Sequence, residues 1–218
     1  MLDYAQARRL MVDCQLRTFD VTDIPVLDAF DAIPRERFVP ADREMFAYID
    51  QPVALGSEDG EIRYAPAPMV LARLLQALVV KPGARALDVA TGLGYGAALL
   101  HRLGAEVTAL ESLPGLAAAA AERLAPLGVA VETGPIEAGA PKRAPFDLIL
   151  IEGRVATRPQ TLLDQLTDGG RLACVQGEGR TAKATLWVRA GDAFGSRPLF
   201  DAALPPLRAF AAEAGFAF

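Results

Sequence analysis

A glycine-rich loop is the feature of this sequence best suited to hold a ligand. Gly92, Gly94 and Gly96 alternate directly between a predicted strand and a predicted helix. Because glycine has no Cβ atom, the backbone there can turn sharply and a ligand can lie against it, next to the free N–H groups of the helix N-terminus. The spacing also fits the dinucleotide fingerprint G-x-G-x-x-G/A, with Ala97 in the last position. The glycines alone therefore leave the class of ligand open.

Two acidic residues accompany the loop and favour one class of ligand. Asp88 lies in the strand before the loop, and Glu111 ends the next predicted strand. Glu111 can accept the hydroxyls of a ribose in either class. A carboxylate at Asp88 repels a pyrophosphate but suits a ligand with an ammonium group and a sulfonium centre. The pair favours S-adenosylmethionine over a dinucleotide, and turn glycines beside two solvated acids are the alternative without a ligand.

The predicted cofactor contacts come from the loop and from the segments after the next two strands. They are Asp88, Ala90, Thr91, Gly92, Gly94, Tyr95, Glu111, Ser112, Leu113, Ile136 and Glu137. We expect Ser112 and Leu113 to flank the adenosine, and Ile136 and Glu137 to close the adenine pocket. A merely solvated side chain is the alternative for Glu137.

The elements that position these residues alternate between strand and helix. Strands are predicted at 85–89, 106–110, 130–132, 146–151 and 171–175, and helices at 69–79, 96–103, 114–127 and 161–166. The continuous apolar run at 146–151 suits a parallel sheet covered on both faces. Residues 185–200 predict an antiparallel hairpin at the sheet edge. The predicted fold class is therefore α/β and Rossmann-like, with a mostly parallel sheet and helices on both faces.

The first 68 residues are predicted to extend this core. Apolar spacing indicates a helix from Tyr4 to about Leu16 and a second helix after a capping Thr22. The proline-rich stretch 34–68 is interpreted as loops. We expect a single domain over 1–218, with a helical and loop extension at 1–68 and the Rossmann-like core at 69–218.

Composition argues against several classes of partner. The chain has 22 basic and 27 acidic residues, and the basic residues are scattered. This balance argues against nucleic acid and against anionic membrane, and no stretch is long enough for a membrane span or a signal-peptide core. Cys14 and Cys174 are isolated, which favours free thiols in a reducing, cytoplasmic compartment. No motif predicts a metal site, and we expect a monomer or weak dimer.

Several longer blocks resemble a known family. They are 32–40 (AIPRERFVP), 47–52 (AYIDQP), 87–96, 146–150 and 165–172 (QLTDGGRL). On these blocks the chain resembles the protein-L-isoaspartate O-methyltransferases, which methylate the carboxylate of isoaspartyl residues in damaged proteins. The resemblance implies a protein-repair enzyme that uses S-adenosyl-L-methionine, releases S-adenosyl-L-homocysteine and acts on a protein or peptide.

The chain departs from the family pattern on the substrate side. The family carries Gln-Thr-Ile-Ser-x-Pro where this chain has 63–68 (RYAPAP), so Tyr64 and Pro66 replace the two hydroxyl residues. Charged residues also follow the fourth core strand. The candidate substrate-side residues are Tyr64, Pro66, Arg63, Glu152 and Arg154.

These charged candidates support more than one role. An ionised Glu152 would repel an anionic substrate but would serve an amine or hydroxyl acceptor as a base or hydrogen-bond acceptor. It could instead form an ion pair with Arg154 or another cation. Arg63 and Arg154 are suited to clamp a carboxylate, or are ordinary surface residues.

Isoaspartyl methyl transfer is the leading hypothesis, because the resemblance extends over nearly the whole chain. Loss of the family hydroxyls does not forbid it, since an ionised carboxylate acceptor needs alignment and exclusion of water rather than an acid or a base. The alternatives are a diverged methyltransferase with another acceptor, such as an unknown small molecule, and a catalytically silent S-adenosylmethionine-binding protein. A nicotinamide-dependent oxidoreductase is disfavoured by Asp88 and by the lack of a recognisable second catalytic domain.

Overall fold

A seven-stranded sheet forms the centre of the computed structural model, which describes residues 3–211. In chain order the strands are β1 (Val53–Glu58), β2 (Glu61–Ala65), β3 (Arg85–Val89), β4 (Glu106–Glu111), β5 (Ala130–Thr133), β6 (Phe146–Val155), β7 (Leu166–Gln176), β8 (Lys183–Ala190) and β9 (Ala193–Asp201). The order across the large sheet is β5-β4-β3-β6-β7-β8-β9. Strands β3 to β7 are parallel, and β8 and β9 are antiparallel. The predicted edge hairpin is thereby confirmed.

Helices cover both faces of the sheet. The α-helices are α1 (Tyr4–Met11), α2 (Ile24–Ala32), α3 (Pro68–Leu78), α4 (Tyr95–Arg102), α5 (Pro114–Leu124) and α6 (Gln160–Leu163). Alternate residues of β6 enter two different hydrophobic clusters, with Leu148 and Leu150 in one and Ile149 and Ile151 in the other. This alternation is the signature of a strand buried on both sides. The α/β Rossmann-like prediction is confirmed.

The N-terminal segment packs into the same core as the sheet. Met11, Phe30 and Leu99 belong to one buried cluster. Helix α1 continues into a π-helical segment, Val12–Leu16. The cap of α2 is Asp23 rather than the expected Thr22, since the Asp23 side chain accepts the N–H of Val26. No helix among residues 3–211 is long and apolar enough to cross a membrane.

The interpretation of residues 34–68 as loops is wrong. This stretch contains two short 3₁₀ segments, Arg35–Phe38 and Ala41–Phe46, and an antiparallel hairpin of β1 and β2. The hairpin turns at Asp59 and Gly60, which both have positive φ as a type I′ turn requires. Alternation of buried and more exposed side chains along β1 and β2 stabilises it against the core. Because residues 56–60 are polar residues and glycines, the sequence indicated a loop where the structure has two paired strands.

Candidate functional site

Three acidic side chains meet at the carboxyl ends of neighbouring strands. Asp88 comes from β3, Glu111 from the end of β4 and Glu152 from β6, and all three are buried. The chain leaves β3 toward β4 on one side and reaches β6 on the other, so this point is where the strand order reverses. Ligands of open α/β sheets bind in the crevice at such a point. The structure thus brings together two predicted cofactor residues and one predicted substrate-side residue.

The glycine loop turns here in the left-handed region of backbone space. Gly92 and Gly94 have φ of +59° and +93°, and Ala90 has φ of +61°. Glycine adopts these angles without strain, whereas Ala90 bears a cost of roughly 1–2 kcal/mol for its Cβ atom. Strained residues cluster where a site requires a particular loop shape. The loop leads directly into α4, as the sequence predicted.

Glu111 is the most heavily bonded carboxylate of the site. Its Oε2 accepts the N–H of Gly92 at 2.9 Å, and its Oε1 accepts the N–H groups of Ser112 and Leu113 at 2.8 and 3.1 Å. These three backbone donors hold the carboxylate in one orientation at the edge of the loop. The sequence predicts that Ser112 and Leu113 flank the adenosine. In the structure their backbone N–H groups orient the Glu111 carboxylate.

Arg63 takes the remaining capacity of this carboxylate. From β2, its Nε lies 3.2 and 3.1 Å from the two Glu111 oxygens, and its Nη2 lies 2.9 Å from Oε1. Both side chains are buried, with exposures of 1% and 0%. Nη2 also donates to the Ser112 hydroxyl and Nη1 to Glu61, each at 3.0 Å. A carboxylate has about four acceptor sites, and those of Glu111 are all used by the protein itself.

The rest of the hairpin also lies on the loop. Leu55 is the extra residue of a β-bulge in β1, and a Cβ atom on Gly92 would overlap Leu55 Cδ1. Bulges redirect a side chain, and this one points Leu55 onto the loop. At the other end of the strand, the Glu58 carboxylate accepts the N–H of Gly115 at 2.9 Å, in the first turn of α5. The hairpin therefore covers the loop, the end of β4 and the start of α5.

Asp88 and Glu152 form an acidic pair beneath this cover. The Thr91 hydroxyl donates to Asp88 at 2.6 Å, and a Cβ atom on Gly96 would overlap the Glu152 carboxylate. Burial raises the pKa of Asp88, and the hydrogen bonds from Thr91 and Glu152 partly offset that rise. Burial and then the neighbouring Asp88 charge raise the pKa of Glu152 well above its usual value. The raised pKa favours the protonated form of Glu152, and the Arg154 guanidinium donates to backbone carbonyls rather than to this carboxyl group.

Arg35 is a site residue to which the sequence assigned no role. It is fully buried, donates to the carbonyls of Ala47 and Pro66 at 2.8 and 2.7 Å, and lies 4.8 Å from the centre of the Tyr95 ring. Burial lowers its pKa, while Tyr95 and Glu152 oppose that effect. Arg35 lies in the block 32–40, which also contains Glu36 and Arg37, so no local signal marked it as the buried arginine.

The remaining predicted residues lie in varied surroundings. Tyr95 packs edge-on against Phe30. Ile136 is in the hydrophobic core, and Glu137 is exposed. The Arg154 guanidinium donates to the carbonyls of Leu204 and Gly177, which fastens the C-terminal segment.

The opening nearest to these residues is small. A cleft lined by Ile62, Tyr64, Pro66, Glu152 and residues 204–207 has a cavity volume of about 10 Å³. Ligand pockets usually measure roughly 300–1,000 Å³. Leu55 lies on the glycine loop and Arg63 on Glu111, at the positions that the sequence predicts for the cofactor.

Comparison with known proteins gives a consistent family. The model of the family "Protein-L-isoaspartate(D-aspartate) O-methyltransferase (PCMT)" matches residues 6–195. A protein-L-isoaspartate O-methyltransferase from Methylorubrum extorquens is 39% identical over 94% of this chain and 90% of its own length. One from Roseiflexus castenholzii is 37% identical over 94% of each chain.

Two solved structures support the fold. One, described as a protein-L-isoaspartate O-methyltransferase, has a TM-score of 0.78 and 23% identity over 92% of this chain, which spans only 65% of that protein. The other comes from Plasmodium falciparum, is described by the same activity and was crystallised with S-adenosyl-L-homocysteine. It has a TM-score of 0.78 and 21% identity over 96% of this chain and all of that one. At these identities the structural matches bear on the fold alone.

Proposed function

The chain belongs to the protein-L-isoaspartate(D-aspartate) O-methyltransferase family, and we propose from this that it methylates the carboxylate of isoaspartyl residues in damaged proteins. It is an S-adenosylmethionine-dependent methyltransferase, and S-adenosylhomocysteine is the product. The observation that carries this conclusion is the family match over residues 6–195, which spans the glycine loop, Glu111 and the strand-end acids.

The protonation of Glu152 supports a carboxylate acceptor. An ionised Glu152 would repel an anionic substrate, but burial beside Asp88 raises its pKa and keeps it neutral. A carboxylate acceptor is already ionised at neutral pH, so orientation and exclusion of water are what the reaction demands of the protein. The site residues agree with that demand, because a protonated Glu152 is a poor general base.

One observation favours a second candidate, methyl transfer to another acceptor. Tyr64 and Pro66 replace the hydroxyl residues that the family pattern places here, and Pro66 uses its carbonyl to accept from Arg35. The neighbouring cleft is narrow, and its lining is mixed, with Tyr64 and Glu152 beside apolar residues. A small acceptor would suit so narrow a cleft better than a peptide backbone.

The deciding experiment is a methylation assay with two peptides that differ only in an isoaspartyl or a normal aspartyl linkage. The purified full-length chain is incubated with each peptide and methyl-labelled S-adenosylmethionine, and base-labile methyl ester is counted. We expect label on the isoaspartyl peptide only. The Arg63→Gln chain is assayed in parallel, so that closure of the site by the hairpin is not mistaken for lack of activity. Label in neither chain, beyond that of a Glu111→Ala control, would reject the isoaspartyl function.

We place the protein in the cytoplasm and expect it to act as a monomer or weak dimer. Cys14 is exposed and Cys174 is buried, and both are free thiols. An exposed free thiol is typical of proteins kept in a reducing compartment.

A further inference from the structure

The β1–β2 hairpin (residues 53–65) lies where the cofactor is predicted to bind, with Leu55 on the glycine loop and Arg63 on Glu111. We propose that this hairpin is a built-in competitor of S-adenosylmethionine, in which the Arg63 guanidinium takes the place of the ribose hydroxyls on Glu111. This inference rests on the proposed function, since it assumes that the pocket beneath the hairpin is a cofactor site. The cofactor then binds only to molecules in which the hairpin has left the glycine loop.

The bonding of Glu111 carries the first step. A vicinal diol would present two donors to one carboxylate, and the Arg63 fork presents two donors to the same carboxylate at 2.9–3.2 Å. Because three backbone N–H groups already bind Glu111, ribose and guanidinium cannot be accommodated together. Arg63 and the ribose are mutually exclusive partners of Glu111.

The packing of Leu55 carries the second step. Leu55 lies so close to Gly92 that a single added carbon on the glycine would overlap it. Glycines in such loops serve to let a ligand approach the backbone. Here the group that approaches Gly92 is Leu55 of the same chain. It lies in β1, which pairs with β2, the strand of Arg63.

The sequence departure at Arg63 carries the third step. The related pattern has Gln at this position and Arg63 replaces it. A glutamine amide is neutral and has one –NH₂ group, so it lacks the charged, rigid fork that makes arginine–carboxylate pairs strong. In this chain the latch depends on Arg63, and a one-residue substitution removes it.

In this proposal the tip of the hairpin leaves the loop while its base, at Val53 and Ala65, stays buried in the core. Toward the tip, Leu55 contacts the glycine loop, Arg63 contacts Glu111 and Glu58 contacts Gly115, while the two strands bond to each other around the Asp59-Gly60 turn. Because the cofactor binds only to open molecules, its apparent affinity is the intrinsic affinity multiplied by the fraction of molecules that are open. Weakening the latch raises that fraction without altering the donors that remain on Glu111.

The test is calorimetric binding of S-adenosylhomocysteine to the full-length chain and to Arg63→Gln. Arg17→Gln is the matched control, because the pair that Arg17 forms with Asp13 is exposed. We expect Arg63→Gln to bind at least tenfold more tightly than the unmodified chain, and Arg17→Gln to match the unmodified chain. Equal or weaker binding by Arg63→Gln, or no binding by either, would overturn the proposal.

A second variant guards against an effect of Arg63 on folding. Leu55→Ala removes the other contact with the loop and keeps the ion pair, and we expect it also to bind S-adenosylhomocysteine more tightly. In hydrogen exchange of the unmodified chain, saturating S-adenosylhomocysteine should speed exchange of amides 53–65; slower exchange there would contradict displacement. If Arg63→Gln binds tightly but does not methylate the isoaspartyl peptide, the competitor stands and the proposed function fails.

Discussion

The Arg63 guanidinium and the Glu111 carboxylate form a buried two-pronged ion pair that joins the β1–β2 hairpin to the end of β4. A buried charge that loses its partner is strongly destabilising, whereas a pair kept intact contributes little net stability. When Glu111 is changed, Arg63 keeps Glu61 and the Ser112 hydroxyl as partners. When Arg63 is changed, Glu111 keeps three backbone N–H donors.

Glu111→Gln is expected to destabilise the protein more than Arg63→Gln. The glutamine amide is neutral, so the Arg63 charge stays buried with Glu61, at the rim of the site, and the Ser112 hydroxyl as its partners. We expect this to lower the free energy of unfolding by about 3–5 kcal/mol. Arg63→Gln leaves Glu111 with three backbone donors, so we expect about 1–3 kcal/mol. Urea unfolding of both variants measures the difference, and equal losses would show that the backbone donors do not stabilise the carboxylate.

The Asp88–Glu152 pair predicts that stability falls as pH rises. Burial raises the pKa of both carboxyl groups, so the folded protein retains a proton that the unfolded chain has released. An acid whose pKa is raised in the folded state contributes most to stability at pH values below its pKa in the unfolded chain. This contribution is lost as the pH rises through its pKa in the folded state. We therefore expect the free energy of unfolding to decrease between about pH 5 and 8.

Glu152→Gln tests the origin of that decrease. The amide retains a donor toward Asp88 and does not titrate, so this variant should be more stable than the unmodified chain at pH 8 by about 1 kcal/mol or more. The advantage should shrink toward pH 5. Glu137→Gln, at an exposed glutamate, is the control and should follow the unmodified chain; parallel curves for Glu152→Gln would rule the pair out as the cause.

Arg35→Met is expected to cost about 2–4 kcal/mol of stability. The substitution leaves the buried carbonyls of Ala47 and Pro66 without their arginine donors. Arg37→Met, at an exposed arginine two residues away, should change stability by less than about 0.5 kcal/mol. Chemical denaturation of the two variants compares them directly, and similar losses would mean that Arg35 does not fasten these segments.

Val79→Gly is expected to stabilise the protein by about 1 kcal/mol. Val79 follows α3 with φ of +54° and is half-exposed, so a β-branched residue occupies a left-handed cap where glycine is unstrained. Val79→Ala retains a Cβ atom and should give a smaller gain. Thermal unfolding should show a rise of roughly 2–4 °C for the glycine variant, and a lower melting temperature would contradict the strain.

The core elements were predictable because their signals are local. The apolar run at β6 and the glycines between β3 and α4 are each encoded within a few consecutive residues. The β1–β2 hairpin carried such a signal in Asp59-Gly60, but the polar residues around it indicated a loop. The assignment of the loop and strand-end residues to a cofactor stays a prediction.

By itself, the sequence determined the α/β fold, the position of the glycine loop and the three acids that gather at the strand ends. These follow from periodicity and from parallel strands ending on one edge of a sheet. Only the tertiary structure decided what contacts those acids. Arg63 and Glu111 are 48 positions apart, and Glu152 and Asp88 come from different strands. No spacing along the chain encodes such contacts, because they depend on how the hairpin folds back over the sheet.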